Sequence, residues 1–367
     1  MTYTKTRPRG GFAHLERSIA RMAHFALFLN DCFGKAEGLQ RVGLRRPNDR
    51  LNGQLQKAPG PFKLASAGVP SGAYPSFMTL RERSMPADNS EQIAEWNGAL
   101  GQRWVAMQRE IDRIVVPFGD AALKAAAPQP GERVIDIGCG CGDTSIEIAR
   151  MVGKAGTVLG IDVSQPMLEV ARSRGAPANC AHLAFREGDA AEDGLPANTD
   201  LLFSRFGVMF FSQPCQAFSH MRTWLRTGGR CVFVCWRAPR DNAWAMTPLS
   251  AAHKAMGVTR APADPDAPGP FAFADEERLR AILSGAGFDA IDVQRFDAAL
   301  SLGATPRSAA EGAVQIGPVS RFVREMGVEH LPTILEAVER TLAPLAATDG
   351  HVSLNGSTWI VSATNPA

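Results

Sequence analysis

No apolar run in this 367-residue chain approaches the roughly 20 residues that a membrane span needs. The longest candidate, Phe-Ala-Leu-Phe-Leu at 25–29, is far too short, so no stable membrane insertion is expected. The chain also lacks a dominant charge: 39 Lys/Arg against 37 Asp/Glu leave a net +2, which on average favours neither a nucleic-acid nor a membrane partner. There is no C-x-x-C. The seven cysteines (Cys32, Cys139, Cys141, Cys180, Cys215, Cys231 and Cys235) are odd in number and scattered through a long chain. That argues against a disulfide scaffold and for reduced thiols in a cytoplasmic compartment. Cys231 and Cys235, four apart on an expected strand, share a face and read as buried thiols, not as a metal site; no metal is expected. Internal repeats and low-complexity tracts are absent. Hydrophobic residues make up 45 %, as in ordinary globular proteins, and the length allows one large domain or two small ones.

The near-neutral average hides two kinds of sequence. Residues 1–84 carry 14 Lys/Arg and 5 Asp/Glu, and the rest carries 25 and 32. The first segment has one possible helix, about 12–33, followed by a Gly/Pro/Arg-rich stretch. It reads as a targeting segment, a disordered basic arm, or sequence upstream of a start at Met85. It contains no recognisable nucleic-acid module. The expected organisation is a basic extension over 1–84 and a folded domain over 85–367.

What is present is concentrated at 134–142, Val-Ile-Asp-Ile-Gly-Cys-Gly-Cys-Gly. Apolar β-formers end in alternating glycines, and a helical pattern follows. Such a turn brings bare backbone to a ligand at a helix N-terminus. The spacing is G-x-G-x-G; the dinucleotide fingerprint G-x-G-x-x-G would need a third glycine where Asp143 stands. Asp136 puts a carboxylate at the strand end, suited to a ligand with a positive charge.

From Glu91 the pattern alternates regularly. Helices are expected over about 91–113 and 116–125. Then follow strand 133–137, helix 143–152, strand 157–161, helix 165–173 capped by Ser164, and strands 182–187 and 200–204. A helix over about 214–225, a Thr-Gly-Gly turn and strand 230–236 come next. A helix over 275–286, strand 289–296, a helical stretch 306–346 and a last strand 351–364 complete the pattern. This predicts an α/β fold, a doubly wound, mostly parallel seven-stranded sheet. Segments near 238–274 and 306–346 exceed the minimal fold and read as helical cap insertions beside the ligand edge.

Strand four leaves as Ser-Arg-Phe-Gly-Val-Met-Phe-Phe at 204–211, and three further signals stand in order: Asp162 ending the second strand, Gly188-Asp-Ala190 after the third, and Thr227-Gly-Gly229 before the fifth. With Asp136 to Gly142 they resemble the class I S-adenosylmethionine-dependent methyltransferases, closest to the ubiquinone/menaquinone biosynthesis type, over about 90–364. The resemblance implies S-adenosylmethionine as cofactor and a Rossmann-like sheet. The implied cofactor-binding residues are Asp136, Gly138, Cys139, Gly140, Gly142, Asp162, Val163, Met167, Asp189, Ala190 and Ser204. Asp162 can accept both ribose hydroxyls. Asp189 can accept from the adenine amino group, with the Ala190 amide at a ring nitrogen. Met167 packs on adenine or fills core. Asp136 binds the cofactor's amine or orients the loop. Cys139 and Cys141 occupy the variable positions as small fillers.

Trp96 and Trp104 lie in the N-terminal helices that, in similar enzymes, cover the cofactor; an aromatic face attracts a sulfonium. The strand-four exit lacks the Asn/Asp-Pro-Pro-aromatic motif of enzymes that methylate exocyclic amines. Arg205 binds an acidic substrate group or serves as a salt-bridge partner. Trp236, Asn242 and Trp244 are candidates for the substrate pocket. His182, His220 and His253 are the histidines to consider, and none is assigned as a base, so the catalytic residue stays unknown. The expected reaction is methyl transfer to a small, apolar or aromatic molecule, at oxygen or carbon before nitrogen. The alternatives are a non-catalytic cofactor-binding subunit of a biosynthetic complex and an NAD(P)-dependent oxidoreductase.

Overall fold

The computed structural model describes residues 89–175, 181–195, 197–259, 264 and 267–366. The basic segment 1–84, Met85, Cys32 and Cys180 lie outside the described residues.

The sheet grows from its most apolar strand. Strand β1 (Arg133–Ile137) is buried from Val134 onward and pairs in parallel with β2 (Thr157–Asp162) on one side and β4 (Thr199–Arg205) on the other. Such near-continuous burial belongs to a parallel strand covered on both faces. With β3 (Leu183–Glu187), β5 (Leu225–Trp236), β6 (Asp289–Gly303) and β7 (Val352–Thr364), the order is β3-β2-β1-β4-β5-β7-β6. Strands β1 to β5 are parallel, and β7 runs antiparallel to both β5 and β6. The chain reverses its direction of travel across the sheet between β1 and β4. That is the switch point where an open α/β sheet leaves a crevice at its strand carboxyl ends.

The elements match the sequence pattern with informative departures. The expected long helix over 91–113 is three helices: α1 (Ser90–Asn97), α2 (Ala99–Ala106) and the start of α3 (Gln108–Ala126). Gly98 breaks it with φ −91° and ψ −148°, an extended backbone that hydrophobic periodicity does not register. Helix α4 (Asp143–Val152) starts where expected, because Gly142 takes the left-handed conformation just before it. Helix α5 (Gln165–Gly175) follows β2. Its first amide, Gln165 N–H, donates to Asn97 Oδ1 of α1 at 3.0 Å, while the Ser164 hydroxyl donates to Trp96 O at 2.8 Å. The expected Ser164 cap is thus replaced by a partner 68 residues away, which local spacing does not reveal.

Helix α6 (Pro214–Arg222) ends earlier than expected, and β5 begins at Leu225. Thr199 pairs with Leu225 and Leu201 with Arg230, so the Gly228-Gly229 turn is looped out inside the strand. Helices α7 (Ala243–Met256), α8 (Glu276–Gly285), α9 (Pro306–Ala313), α10 (Pro318–Met326) and α11 (Leu331–Leu342) follow. The stretch 306–346 divides at Gly317 and Gly327, both with positive φ.

Two separate cores result. The larger clusters Phe118, Ile148, Leu201, Phe203, Phe218 and Phe233 around the sheet. The smaller joins α7 with α9, α10 and α11 through Leu249, Ala310, Phe322, Ile334, Val338 and Leu342. The two segments beyond the minimal fold therefore share one helical layer with its own buried interior. Among the described residues no helix is long and apolar enough to cross a membrane.

Candidate functional site

The loop after β1 is made by glycine conformations. Gly138, Gly140 and Gly142 have φ of 64°, 54° and 81°. At Gly138 a Cβ would lie 2.6 Å from Gly207 Cα, so the loops leaving β1 and β4 touch backbone to backbone. At Gly140 a Cβ would lie 2.8 Å from Met167 Cε, so the buried Met167 covers that turn. The Ser204 hydroxyl donates to Ile137 O at 2.8 Å and accepts from Gly207 N–H at 3.1 Å, tying the same two strand ends together.

Two carboxylates organise this loop. Asp162 accepts from Gly140 N–H at 2.7 Å and Ser164 N–H at 2.8 Å, one on each oxygen. The Val163 amide is a third backbone donor to this carboxylate, which keeps room for a further one. Burial raises its pKa, against the pull of those backbone hydrogen bonds. Val163 lies beside it, and its carbonyl accepts from Asn97 Nδ2 at 2.7 Å.

Asp136 is 1 % exposed. Its Oδ2 accepts from Thr144 Oγ1 at 2.7 Å and Ser145 Oγ at 2.6 Å, while Oδ1 has no hydrogen-bond partner. Burial pushes its pKa up to about 6, with the two hydroxyls pulling the other way. A buried carboxylate oxygen without a donor costs free energy, and a cationic group would relieve that cost. Among the described residues Asp136 therefore both orients the first turn of α4 and keeps one oxygen free.

Asp189 lies at the exit of β3. Its carboxylate accepts from Asn89 Nδ2 at 3.0 and 2.9 Å and from Ala191 N–H at 2.9 Å, and Ala190 beside it is buried. Asn89 Oδ1 in turn accepts from Ser212 N–H at 2.9 Å, so the entry to α1 bridges the β3 and β4 exits. Trp96 packs edge-on against Trp104 (centroids 5.4 Å apart) and Phe210 (5.3 Å). The N-terminal helices thus reach the strand-end crevice through Asn89, Trp96 and Asn97. Sequence reading missed the two asparagines, because their partners stand 66 to 123 residues away.

The exit of β4 is aromatic. Phe206, with a left-handed φ of 65°, stacks on Trp236 at 4.4 Å and 12° between planes. Trp236 also meets Phe118 at 5.2 Å and Trp244 at 4.9 Å. A non-glycine residue in this conformation is strained and persists only where its surroundings hold it. Here the stack on Trp236 does so. Asn242 is fully buried and knotted: its amide nitrogen donates to the carbonyls of Arg237, Ala238 and Ser357, and its oxygen accepts from Ser357 N–H and Trp244 Nε1–H. It has no capacity left for a ligand and acts by aiming Trp244.

Arg205, just before Phe206, is held in ion pairs. Its guanidinium pairs with Asp112 at 3.1 Å and Asp143 at 3.0 Å, beside a groove of about 420 Å³ between α3 and α4. Of its two sequence readings, these contacts are those of the salt-bridge partner. His182 Nε2 is 2.8 Å from Ala149 O, His220 Nε2 is 3.1 Å from Asp193 O, and His253 lies against the Phe322 ring. Burial pushes the thiols of Cys141 and Cys231 up to about 12 and raises that of Cys139 well above its ordinary value, so they are inert fillers. Cys235 is likewise raised by burial, and no described cysteine is in a disulfide. No cluster among the described residues could hold a metal ion.

Residues 134–229 match the family described as a methyltransferase domain. Aklanonic acid methyltransferase DauC from Streptomyces sp. (strain C5) is 34 % identical over 119 residues, 32 % of this chain and 54 % of that protein. Nocamycin O-methyltransferase from Saccharothrix syringae is 31 % identical over 136 residues, 36 % of this chain and 48 % of that protein. Demethylmenaquinone methyltransferase from Listeria monocytogenes is 29 % identical over 133 residues, 36 % of this chain and 56 % of that protein. The chain thus spans about half the length of the curated relatives it matches.

Proposed function

We propose that this chain, with a methyltransferase domain at residues 134–229 on a class I methyltransferase sheet, is an S-adenosylmethionine-dependent methyltransferase. Its acceptor is a small, apolar or aromatic molecule, methylated at oxygen or carbon in preference to nitrogen. The observation that carries the reading is the free, buried Oδ1 of Asp136 beneath three left-handed glycines, next to an Asp162 with room for a further donor. That donor set suits a ligand with an ammonium at one end and a ribose diol beyond it.

S-adenosylmethionine, when bound, supplies a methyl group on a positively charged sulfur. Asp136 would hold the amine, Asp162 the ribose hydroxyls, and Asp189 with Ala190 the adenine edge, with Met167 and Val163 beside it. Gly138, Cys139, Gly140 and Gly142 leave room for the methionine portion, and Ser204 fixes the β1–β4 junction. Displacement at a sulfonium disperses charge, so the chain's main tasks are alignment and exclusion of water. Trp96, Trp104 and Phe210 exclude water from the N-terminal side. Phe206, Trp236 and Trp244 present flat apolar surface to the acceptor. No histidine of the described core is placed as a base: His182 and His220 are held at backbone carbonyls. An acceptor that ionises readily, or a carbon nucleophile, needs none. The names of the relatives, an acid methyltransferase, an O-methyltransferase and a demethylmenaquinone methyltransferase, agree with a small acceptor. The free thiols suit a cytoplasmic setting.

The test is to incubate the full chain with methyl-labelled S-adenosylmethionine and a metabolite extract. Label should enter small organic-soluble products. Trp236→Leu should lower that transfer at least tenfold while S-adenosylhomocysteine binding stays within twofold. Label found only in protein or nucleic acid would contradict the reading.

A further inference from the structure

Four charged side chains close into a ring. Arg174 of α5 pairs with Asp112 at 3.1 Å and Asp143 at 3.0 Å. Arg205, at the end of β4, pairs with the remaining oxygen of each: Asp112 at 3.1 Å and Asp143 at 3.0 Å. The charges alternate and cancel, and each of the four carboxylate oxygens receives one arginine nitrogen. The side chains are 13 to 33 % exposed, deeper than the freely exposed pairs that contribute little. The ring also reaches the loop backbone, because Arg174 Nη1 donates to Cys141 O at 2.8 Å.

Its four corners belong to different parts of the site. Asp143 is the first residue of α4, directly after Gly142. Arg174 holds the loop carbonyl. Arg205 immediately precedes the strained Phe206, whose neighbour Gly207 lies against Gly138. Asp112, on α3, bonds only to Arg174, Arg205 and Gln108 among the hydrogen bonds and ion pairs resolved. Among the described residues, its ion pairs toward the glycine loop run through the two arginines.

We infer that this ring positions the cofactor loop and couples it to the acceptor-side turn, with Arg174 and Arg205 as positioning residues and Asp112 as their common anchor. The inference rests on the cofactor reading above. Removing one corner leaves an uncompensated, partly buried charge that must find a new partner, and the loop carbonyl and the Phe206 turn move with it. Neither arginine is assigned to substrate.

The test is calorimetric binding of S-adenosylhomocysteine to the full chain, to Asp112→Asn, to Arg174→Gln and to the double variant, each checked for folding by thermal melting. Asp120→Asn, an exposed carboxylate on the same helix outside the ring, is the control. Each ring variant should bind five- to tenfold more weakly, the double variant no more weakly than twofold beyond either, and the control like the unaltered chain. Such non-additivity marks groups acting as one unit, which a general loss of stability does not produce. If Asp112→Asn does not fold, Arg174→Lys replaces it. One ammonium keeps the charge but cannot span Cys141 O and both carboxylates, so the same weakening is expected. Folded ring variants that bind within twofold of the unaltered chain, or effects that multiply in the double variant, would overturn the ring's role. An unaltered chain that binds no S-adenosylhomocysteine would instead overturn the cofactor reading, and the ring's role with it.

Discussion

The strand-end crevice and the smaller helical layer are built on different rules. The crevice is made of backbone: glycines in left-handed conformations, carbonyls and amides, and two aspartates that collect them. The helical layer is made of side-chain bulk: four helices, α7 and α9 to α11, around an interior of Leu249, Phe322, Ile334, Val338 and Leu342. A backbone-built site tolerates few residue types at each position. A site built from packed side chains admits any sequence that fills the volume. The first is therefore tightly constrained in sequence, and the second is free to vary.

If the two regions are separable, damage to one should spare the other. Leu342 is fully buried in the interior of the helical layer. Leu342→Ala should cost about 3 kcal/mol of that layer's stability, visible as faster hydrogen exchange in α7 and α11. S-adenosylhomocysteine affinity should stay within twofold. Loss of that affinity would break the distinction.

Gly138→Ala is the complementary change. It forces a side chain into φ 64° and against Gly207 backbone that has no flexible end to yield. A cost of about 2 kcal/mol in thermal stability is expected, with cofactor affinity falling and hydrogen exchange in the helical layer unchanged.

Asp136 gives the most diagnostic effect. Its folded pKa of about 6 lies above the ordinary carboxylate value, so the fold prefers the protonated acid. That preference is fully present below about pH 4 and is lost as pH rises through about 6, worth on the order of 2 to 3 kcal/mol without ligand. A cationic amine reverses the preference by favouring the carboxylate. S-adenosylhomocysteine affinity should therefore be flat above pH 7 and fall about tenfold per pH unit below about 6. Asp136→Asn should flatten both profiles and weaken binding about tenfold at pH 7.5. An unchanged pH profile in that variant would assign Asp136 to orienting Thr144 and Ser145 alone.

The same contrast explains what could be read from the sequence. The order of strands and helices over 133–175 was legible almost to the residue, because the switch from apolar run to glycine to helix leaves local marks. The sheet class followed from it. The reversal of β7 and the length of β6, which runs to Gly303, did not, because they depend on hairpin pairing across about 50 residues. Glycine positions and the acids at strand ends were visible as motifs. Asn89, Asn97, Asp112 and Arg174 were not, since each acts through a partner distant in sequence and is of a type common on surfaces. Arg205 and Asn242 drew notice for their residue type, but only geometry shows one in an ionic ring and the other knotted to β7.

The proposed function requires the strand-end crevice to bind S-adenosylmethionine with Asp162 at its centre. Calorimetry of the full chain with S-adenosylmethionine, S-adenosylhomocysteine and NADH, alongside Asp162→Ala, tests it most directly. Micromolar binding of the first two, no binding of NADH, and at least a hundredfold weakening in the variant, about 3 kcal/mol, are expected. Preference for NADH, or unaltered binding in Asp162→Ala, would contradict it.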